Sequence, residues 1–99
     1  MRWKGLIDTD GQLARVLGVT PPAIRKAELR GRIAREPDGR WDVLAVVYDW
    51  RDRTRPLLQR HGRGQFHPWL DPQIPLISSV WVELILRAEA AGVSWCRET

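Results

Sequence analysis

Apolar residues near the start of the chain recur at the three- and four-residue spacing of a helix. Leu13, Val16 and Leu17 fall on one face of such a helix. Thr9 and Gln12 precede them at the spacing of a capping box, in which each side chain reaches the other residue's backbone amide. The pattern therefore predicts a first helix that begins at Thr9 and buries one face.

A second helix is predicted directly after the first. Gly18 ends the first helix, because glycine adopts the left-handed conformation without steric cost. Thr20 is a favourable cap, and Pro21 takes the first helical position, where its missing amide proton costs nothing. Ile24 and Ala27 then face inward, so the two helices are predicted to form a helix-turn-helix pair.

A tight turn and a third helix follow. Residues 36–39, Glu-Pro-Asp-Gly, have proline and glycine where a β-turn favours them, and residues 32–35 and 40–41 flank the turn as arms of a short hairpin. Asp42 is placed to cap a third helix, which ends near Thr54 because a proline follows. The apolar stripe of this helix is Val43, Val46, Val47 and Trp50.

The last third of the chain predicts a connector and a final helix. Residues 61–75 contain prolines and glycines that disfavour regular structure, and residues 76–91 form the next helical stretch. Apolar side chains point in nearly every direction around that helix, so we expect one side to pack on the body and another on a partner chain. The expected oligomerisation residues are Trp81, Leu84 and Ile85.

Together these elements predict a mainly α fold. It consists of a winged helix-turn-helix with a short β-hairpin wing, followed by a C-terminal apolar oligomerisation helix. The predicted domains are a DNA-binding domain over residues 1–60, a connector over residues 61–75, and a helix and tail over residues 76–99. A chain of 99 residues is near the small end of sizes that bury a self-sufficient core.

Charge is divided unevenly along the chain. Residues 1–64 contain 14 Lys and Arg against 8 Asp and Glu, whereas residues 65–99 contain 2 against 4. The cationic surplus coincides with the helix-turn-helix pattern, which favours a nucleic-acid partner over a merely solvated basic face. No apolar run approaches the roughly 20 residues of a membrane span, and the N-terminus lacks a signal-peptide pattern. We therefore expect a cytoplasmic protein with no membrane partner.

A helix-turn-helix places its second helix in the major groove of double-stranded DNA. Arg25 is the best candidate for a two-bond contact with guanine, whereas Lys26 and Arg30 suit phosphates. Pro22 or Leu29 would contact a thymine methyl group, and arginines on the wing suit a narrow minor groove. The predicted DNA-binding residues are Thr20, Pro22, Arg25, Lys26, Leu29, Arg30, Arg32, Arg35 and Arg40.

Catalytic and metal-binding chemistry has little support in the sequence. His61 and His67 have no further ligand at metal-site spacing, and Cys96 is the lone cysteine. Ser78 and Ser79 lack a suitable base, and the chain has no phosphate-binding glycine loop. We therefore expect a non-enzymatic protein with no catalytic residue, no metal and no cofactor.

Residues 7 to about 53 carry a family resemblance. The run Thr-Asp-Gly-Gln-Leu-Ala-Arg-Val-Leu-Gly-Val-Thr-Pro-Pro-Ala-Ile-Arg-Lys-Ala, followed by Gly-Arg-Ile and Asp-Gly-Arg-Trp-Asp, resembles the N-terminal winged helix-turn-helix of the small terminase subunit of lambda-like phages. The resemblance implies recognition of packaging sites on phage DNA, oligomerisation through a C-terminal segment, and binding to a large ATPase-nuclease subunit. It also implies a recognition helix over residues 20–30, a wing over residues 32–40, and a phage or prophage origin in a bacterial host.

Two other functions stay open at this point. The same run is similar, more loosely, to MerR-type and excisionase DNA-binding domains, which makes a regulator the first alternative to DNA packaging. The second alternative is a protein-binding adaptor that has the helix-turn-helix fold without DNA contact. The chain is also shorter than lambda-like small subunits, and its Pro- and Trp-rich last third has no match in them. Steep salt dependence of duplex binding would separate the DNA-binding functions from the adaptor.

Overall fold

The computed structural model describes residues 2–53, 68–71 and 74–98. Their elements follow in the order β1 (Arg2–Ile7), α1 (Asp10–Leu17), α2 (Pro21–Leu29), β2 (Trp41–Asp42), α3 (Val43–Arg53), α4 (Ser78–Ala90) and β3 (Ser94–Glu98). About half of the described residues are helical. The described residues thus form a small mixed fold of four helices and three strands, in which the predicted helical character is combined with a three-stranded sheet.

The first two helices begin and end where the sequence predicts. The Thr9 hydroxyl accepts a hydrogen bond from the Gln12 amide, and the Gln12 side-chain oxygen accepts one from the Thr9 amide, both at 3.1 Å. Gly18 follows α1 with a φ of 77°, in the left-handed region. At the start of α2, the Thr20 hydroxyl accepts a bond from the Ala23 amide at 3.3 Å. A three-residue turn therefore joins two capped helices.

β1 is the central strand of an antiparallel sheet in the order β2–β1–β3. Gly5 pairs with Trp95 of β3, and Ile7 pairs with Trp41 of β2. The sequence analysis predicted neither β1 nor β3. These strands bring residues from the two ends of the chain together, so no local pattern reports their pairing.

The predicted hairpin is only partly formed. Its turn is present, because the Gly39 amide donates to the Glu36 carbonyl and the Glu36 amide donates to the Arg40 carbonyl, each at 2.8 Å. Residues 32–35 form no strand, and the residues after the turn pair with β1 instead. Ile33 explains the difference, since its side chain is 2% exposed and fills the core rather than lying on a hairpin arm.

One apolar core lies between the helices and the sheet, and it confirms the inward faces predicted for the first three helices. It contains Leu13, Val16 and Leu17 of α1, Ile24 and Ala27 of α2, Val43, Val46, Val47 and Trp50 of α3, and Leu84 and Ala88 of α4. Trp41 is fully buried with them. Close packing of this set holds the described part of the chain together.

The C-terminal part of the chain belongs to the same packed unit. The Arg87 side chain of α4 donates to the carbonyl of Val16 at 2.7 Å and to that of Arg15 at 3.1 Å, at the end of α1. β3 pairs with β1 over its whole length. The helix and tail predicted as a separate region over residues 76–99 therefore share a core and a sheet with the N-terminal part.

The structure contradicts the prediction that Leu84 is an oligomerisation residue. Its side chain is 1% exposed and packs in the core of its own chain. A side chain buried in this way cannot reach a partner chain without unfolding the helix around it. Trp81 and Ile85, in contrast, are half-buried and keep part of their surface outside the core.

A buried carboxylate joins the sheet to α3. Asp42 is 1% exposed, and its Oδ1 accepts hydrogen bonds from the Gly5 amide of β1 at 3.2 Å and from the Leu44 amide of α3 at 3.1 Å. The predicted cap of the third helix is therefore confirmed. A buried carboxylate is stable only when its oxygens are hydrogen-bonded, so this group also fixes β1 relative to α3.

We expect Asp42→Ala to lower the free energy of unfolding by about 2–3 kcal/mol, because two backbone amides lose a charged acceptor. Asp42→Asn keeps an oxygen acceptor and should lose less. The matched control is Asp52→Ala on the exposed surface of α3, which should stay within about 0.5 kcal/mol of wild type. Urea denaturation at neutral pH measures all three variants. Equal midpoints for the two alanine variants would contradict the role of Asp42.

Candidate nucleic-acid interface

α2 presents a basic outer face. Its inner face is fixed by Ile24 and Ala27, which are 0% and 4% exposed and lie three positions apart in the core. Arg25, Lys26 and Arg30 are exposed on the opposite side. The rotation of the helix about its axis is therefore set by its apolar contacts, and the cations point away from the body.

These three cations have no acidic partner in the described ranges 2–53, 68–71 and 74–98. Glu28 is the acidic residue of α2, and its carboxylate lies 2.9 Å from the Nε of Arg35 instead. The charges of Arg25, Lys26 and Arg30 thus stay available to an anionic ligand.

Three uncharged residues complete the outer surface of α2. Thr20 and Pro22 are exposed at its start, and Leu29 is 88% exposed near its end. The first turn of the helix has few free backbone N–H groups for an anion. Pro21 and Pro22 have no N–H group, and the Ala23 N–H already donates to the Thr20 hydroxyl. Anion binding by α2 must therefore come from its side chains.

The segment that follows α2 is hydrogen-bonded to α3. Arg53 of α3 donates from Nη1 to the carbonyl of Gly31 and, at 3.4 Å, to that of Arg32. The side chain of Arg32 itself is half-buried. Of the predicted wing residues, Arg32 thus lies directly beside the end of α2.

Arg35 is engaged within the protein. Its Nη2 lies 2.9 Å from Asp10 Oδ1, its Nε lies 2.9 Å from Glu28 Oε2, and its guanidinium carbon is 4.8 Å from the centre of the Trp41 ring. The hydrogen bond to Glu28 raises the pKa of Arg35 above its usual value. The charge of this predicted DNA-binding residue is therefore balanced by carboxylates on two helices.

Arg40 is also paired. Its Nη2 lies 2.7 Å from Asp38 Oδ2 within the same turn. The hydrogen bond from Arg40 lowers the pKa of Asp38, so this carboxylate stays ionised at neutral pH. Within the described residues, the structure thus divides the predicted DNA-binding cations into those of α2 and Arg32, which have no acidic partner, and Arg35 and Arg40, which have one.

The turn is further tied to the sheet by a contact that the sequence analysis did not predict. Lys4 of β1 donates to the Glu36 carboxylate at the start of the turn. The two residues are 32 positions apart, and the strand that carries Lys4 was not predicted. No local sequence signal points to this pair.

A second surface feature is an apolar groove of about 500 Å³, which we call the aromatic groove. It is lined by Trp3, Leu44, Tyr48, Trp81, Ile85 and Trp95. The rings of Tyr48 and Trp81 lie 5.7 Å apart at 53°, and Trp3 and Tyr48 are each more than half exposed. Gly5 of β1 packs closely against the Trp95 ring of the groove, since a Cβ at that position would lie 2.9 Å from the ring.

Among the described residues, no group of three or more His, Cys, Asp or Glu is arranged to hold a metal ion. His61 and His67 lie outside those residues. None of the helices in the described part has the length and hydrophobicity needed to cross a membrane.

Comparisons of the chain with family models, with curated proteins and with solved structures found no match. Its function must therefore be inferred from the chemistry of its own residues.

The orientation of α2 can be tested with two truncations on opposite faces. We expect Ile24→Ala to lower the free energy of unfolding by about 2–5 kcal/mol, because it leaves a cavity in the core. Leu29→Ala removes an exposed side chain from the same helix and should change the free energy of unfolding by less than about 0.5 kcal/mol. Thermal and urea unfolding monitored by circular dichroism measure both. Similar losses for the two variants would mean that α2 is rotated from the orientation described.

Proposed function

We propose that the chain is a winged helix-turn-helix protein that binds double-stranded DNA through α2. The observation that carries this proposal is the division of one short helix into an apolar face in the core and an outer face with three unpaired cations. Arg25, Lys26 and Arg30 supply that charge. A single α-helix fits the major groove of B-form DNA, where phosphates line both edges.

The three cations suit different parts of a duplex. Arg25 is the fifth of the nine residues of α2 and its first cation, and the N-terminal residues of a recognition helix are the ones that approach base edges. A guanidinium matches the two acceptors of guanine, so Arg25 is the proposed base contact. Lys26 and Arg30 are proposed phosphate contacts, which add affinity without selecting a sequence. Exposed Leu29 suits the methyl group of thymine.

The proposed biological role is recognition of DNA for packaging, as in the small terminase subunits that residues 7–53 resemble. In that role the chain is non-catalytic and passes DNA to a large ATPase-nuclease subunit inside the bacterial cytoplasm. A regulator of the excisionase or MerR type would use the same face of α2. The two roles differ in the partner that DNA binding recruits.

The adaptor function is favoured by a different observation. The two arginines at the turn beside α2 offer no unpaired charge, because Arg35 and Arg40 are paired with carboxylates. A protein partner with acidic side chains would then bind α2 alone. DNA remains the proposed ligand because the free cations lie together on one helix of a helix-turn-helix pair.

Fluorescence anisotropy with labelled duplexes tests the proposal. We expect the logarithm of the affinity to fall linearly with the logarithm of salt concentration, by about 0.9 for each phosphate contact. Lys26→Ala should weaken binding to every duplex and reduce the slope by about 1. Arg25→Ala should cost about 1–3 kcal/mol on the preferred sequence, chosen by selection from a random library, and relax the base preference.

The matched control is Arg97→Gln, which removes an exposed cation from β3 and leaves α2 intact. It should retain wild-type affinity and base preference. A loss equal to that of Lys26→Ala would show that binding depends only on net charge. Absence of duplex binding by the wild type at low salt would contradict DNA binding and favour the adaptor.

We also propose that the chain forms homo-oligomers through the aromatic groove. Val82 and Leu86 follow the groove residues Trp81 and Ile85 by one position on α4, and they are 56% and 60% exposed. Trp3, which lines the groove, is 53% exposed as well. Interfaces between identical chains have cores of this composition, rich in aromatic and aliphatic side chains.

The double variant Val82→Glu with Leu86→Glu should lower the molar mass measured by light scattering, since two charges would enter the interface. Leu29→Glu is the matched control, because it places the same charge at an 88% exposed position on α2. It should leave the mass unchanged. A wild-type mass equal to that of one chain at all concentrations would contradict self-association.

A further inference from the structure

Arg35 contacts groups from several parts of the fold. Its Nε donates to Glu28 Oε2 and its Nη2 donates to Asp10 Oδ1, each at 2.9 Å. Its Nη1 donates to the Gly39 carbonyl at 3.4 Å, and its guanidinium lies over the Trp41 ring. The start of α1, the outer part of α2, the turn and β2 therefore meet at one side chain.

A further hydrogen bond closes this arrangement. The Trp41 Nε1 donates to the same Asp10 oxygen at 2.9 Å. We call Asp10, Glu28, Arg35 and Trp41 the arginine cluster. Because Trp41 is fully buried, the cluster is anchored in the core on one side and reaches the surface at Arg35 on the other.

The shape of the cluster requires a guanidinium. Two different nitrogens of Arg35 reach carboxylates on two helices, while the flat face of the group lies against an indole ring. A lysine ammonium is a single charged point, which cannot make these contacts together. The substitution of Arg35 by Lys therefore keeps the charge but not the geometry.

The charge of the cluster argues against the minor-groove contact with DNA that the sequence predicted for Arg35. Two carboxylates, Asp10 and Glu28, surround one guanidinium, so the group carries a net negative charge at neutral pH. A phosphate that approached Arg35 would meet both carboxylates. Arg35 thus offers DNA no unpaired charge, and its role in a DNA-binding protein must be a different one.

We propose that Arg35 is a positioning residue that holds the turn of residues 36–39 at a fixed angle to α2, so that turn and helix meet the same duplex. The contact between Lys4 and Glu36 holds the turn to β1 from the other side. This proposal rests on the proposed DNA-binding function. It reassigns Arg35 from binding DNA to orienting the elements that do.

The first test compares Arg35→Lys with Arg35→Ala in the anisotropy assay. Both should weaken duplex binding to a similar degree, by about fivefold or more, because a loose turn must be ordered on binding. Neither should change the salt slope, since no phosphate contact is lost. Near-normal affinity of Arg35→Lys, with a reduced slope for Arg35→Ala, would overturn the proposal in favour of a phosphate contact.

The second test uses the acidic partner, Glu28→Gln. Charge alone predicts tighter DNA binding when a carboxylate near the phosphates is removed. The positioning role predicts weaker binding, because Arg35 loses one of its two anchors. Tighter binding by this variant would therefore overturn the proposal. Glu89→Gln is the matched control, since it removes an exposed carboxylate from α4, outside the cluster and the turn, and it should behave as wild type.

Nuclear magnetic resonance of the free protein separates this proposal from the proposed function. Arg35→Lys should shift the indole N–H resonance of Trp41 and the amide resonances of residues 36–39, while the core amides of α1 and α2 stay in place. An unchanged Trp41 indole resonance would overturn the positioning role whether or not the chain binds DNA. Failure of the wild type to bind any duplex would refute the proposed function alone, because the spectra still report whether Arg35 fixes the turn.

Discussion

The packing of Ile24 and Ala27 against α1 determines the orientation of α2, and with it the surface that the helix exposes. α2 has nine residues, and a helix of that length is not stable in water by itself. Its apolar face is buried, so the core determines which side of the helix is exposed. The basic surface is therefore a consequence of core packing, and a change in the core would rotate it.

α1 is in turn held by residues that are remote in the sequence. The indole nitrogen of Trp69 donates to the Leu17 carbonyl at 3.0 Å, and Arg87 of α4 donates to the Val16 carbonyl. The Arg87 guanidinium also lies 4.9 Å from the centre of the Trp69 ring. Carbonyl groups at the end of a helix have no partner within it, and these side chains satisfy them. The C-terminal part of the chain thus stabilises the helix against which α2 packs.

Local signals in the sequence predicted the helices well. Thr9 with Gln12 and Gly18 mark the limits of α1, because capping boxes and left-handed glycines act within a few residues. The same signals could not predict β1 and β3, since the stability of a strand depends on a partner that can lie anywhere in the chain. Around α4, apolar residues on several sides did not show which of them, such as Leu84, would face the core.

The candidate site was predictable to a similar extent. The exposed cations of α2 follow from helical periodicity once Ile24 and Ala27 are assigned to the core. The pairing of Arg35 could not be predicted, because Asp10 lies 25 positions away and comes near only through the tertiary fold. The local sequence around an arginine in a turn beside a helix does not show whether that arginine contacts DNA or a carboxylate of its own chain. Among the described residues of this site, α2 and the adjoining Arg32 therefore carry the unpaired positive charge.

Titration of the isotopically labelled protein with duplex DNA, followed by nuclear magnetic resonance, tests whether α2 is the surface that binds DNA. We expect the amide resonances of residues 20–30 to shift first and furthest. The indole resonances of Trp81 and Trp95 in the aromatic groove should stay in place. Shifts confined to the groove, or no shift in residues 20–30 at a saturating concentration of duplex, would contradict DNA binding through α2.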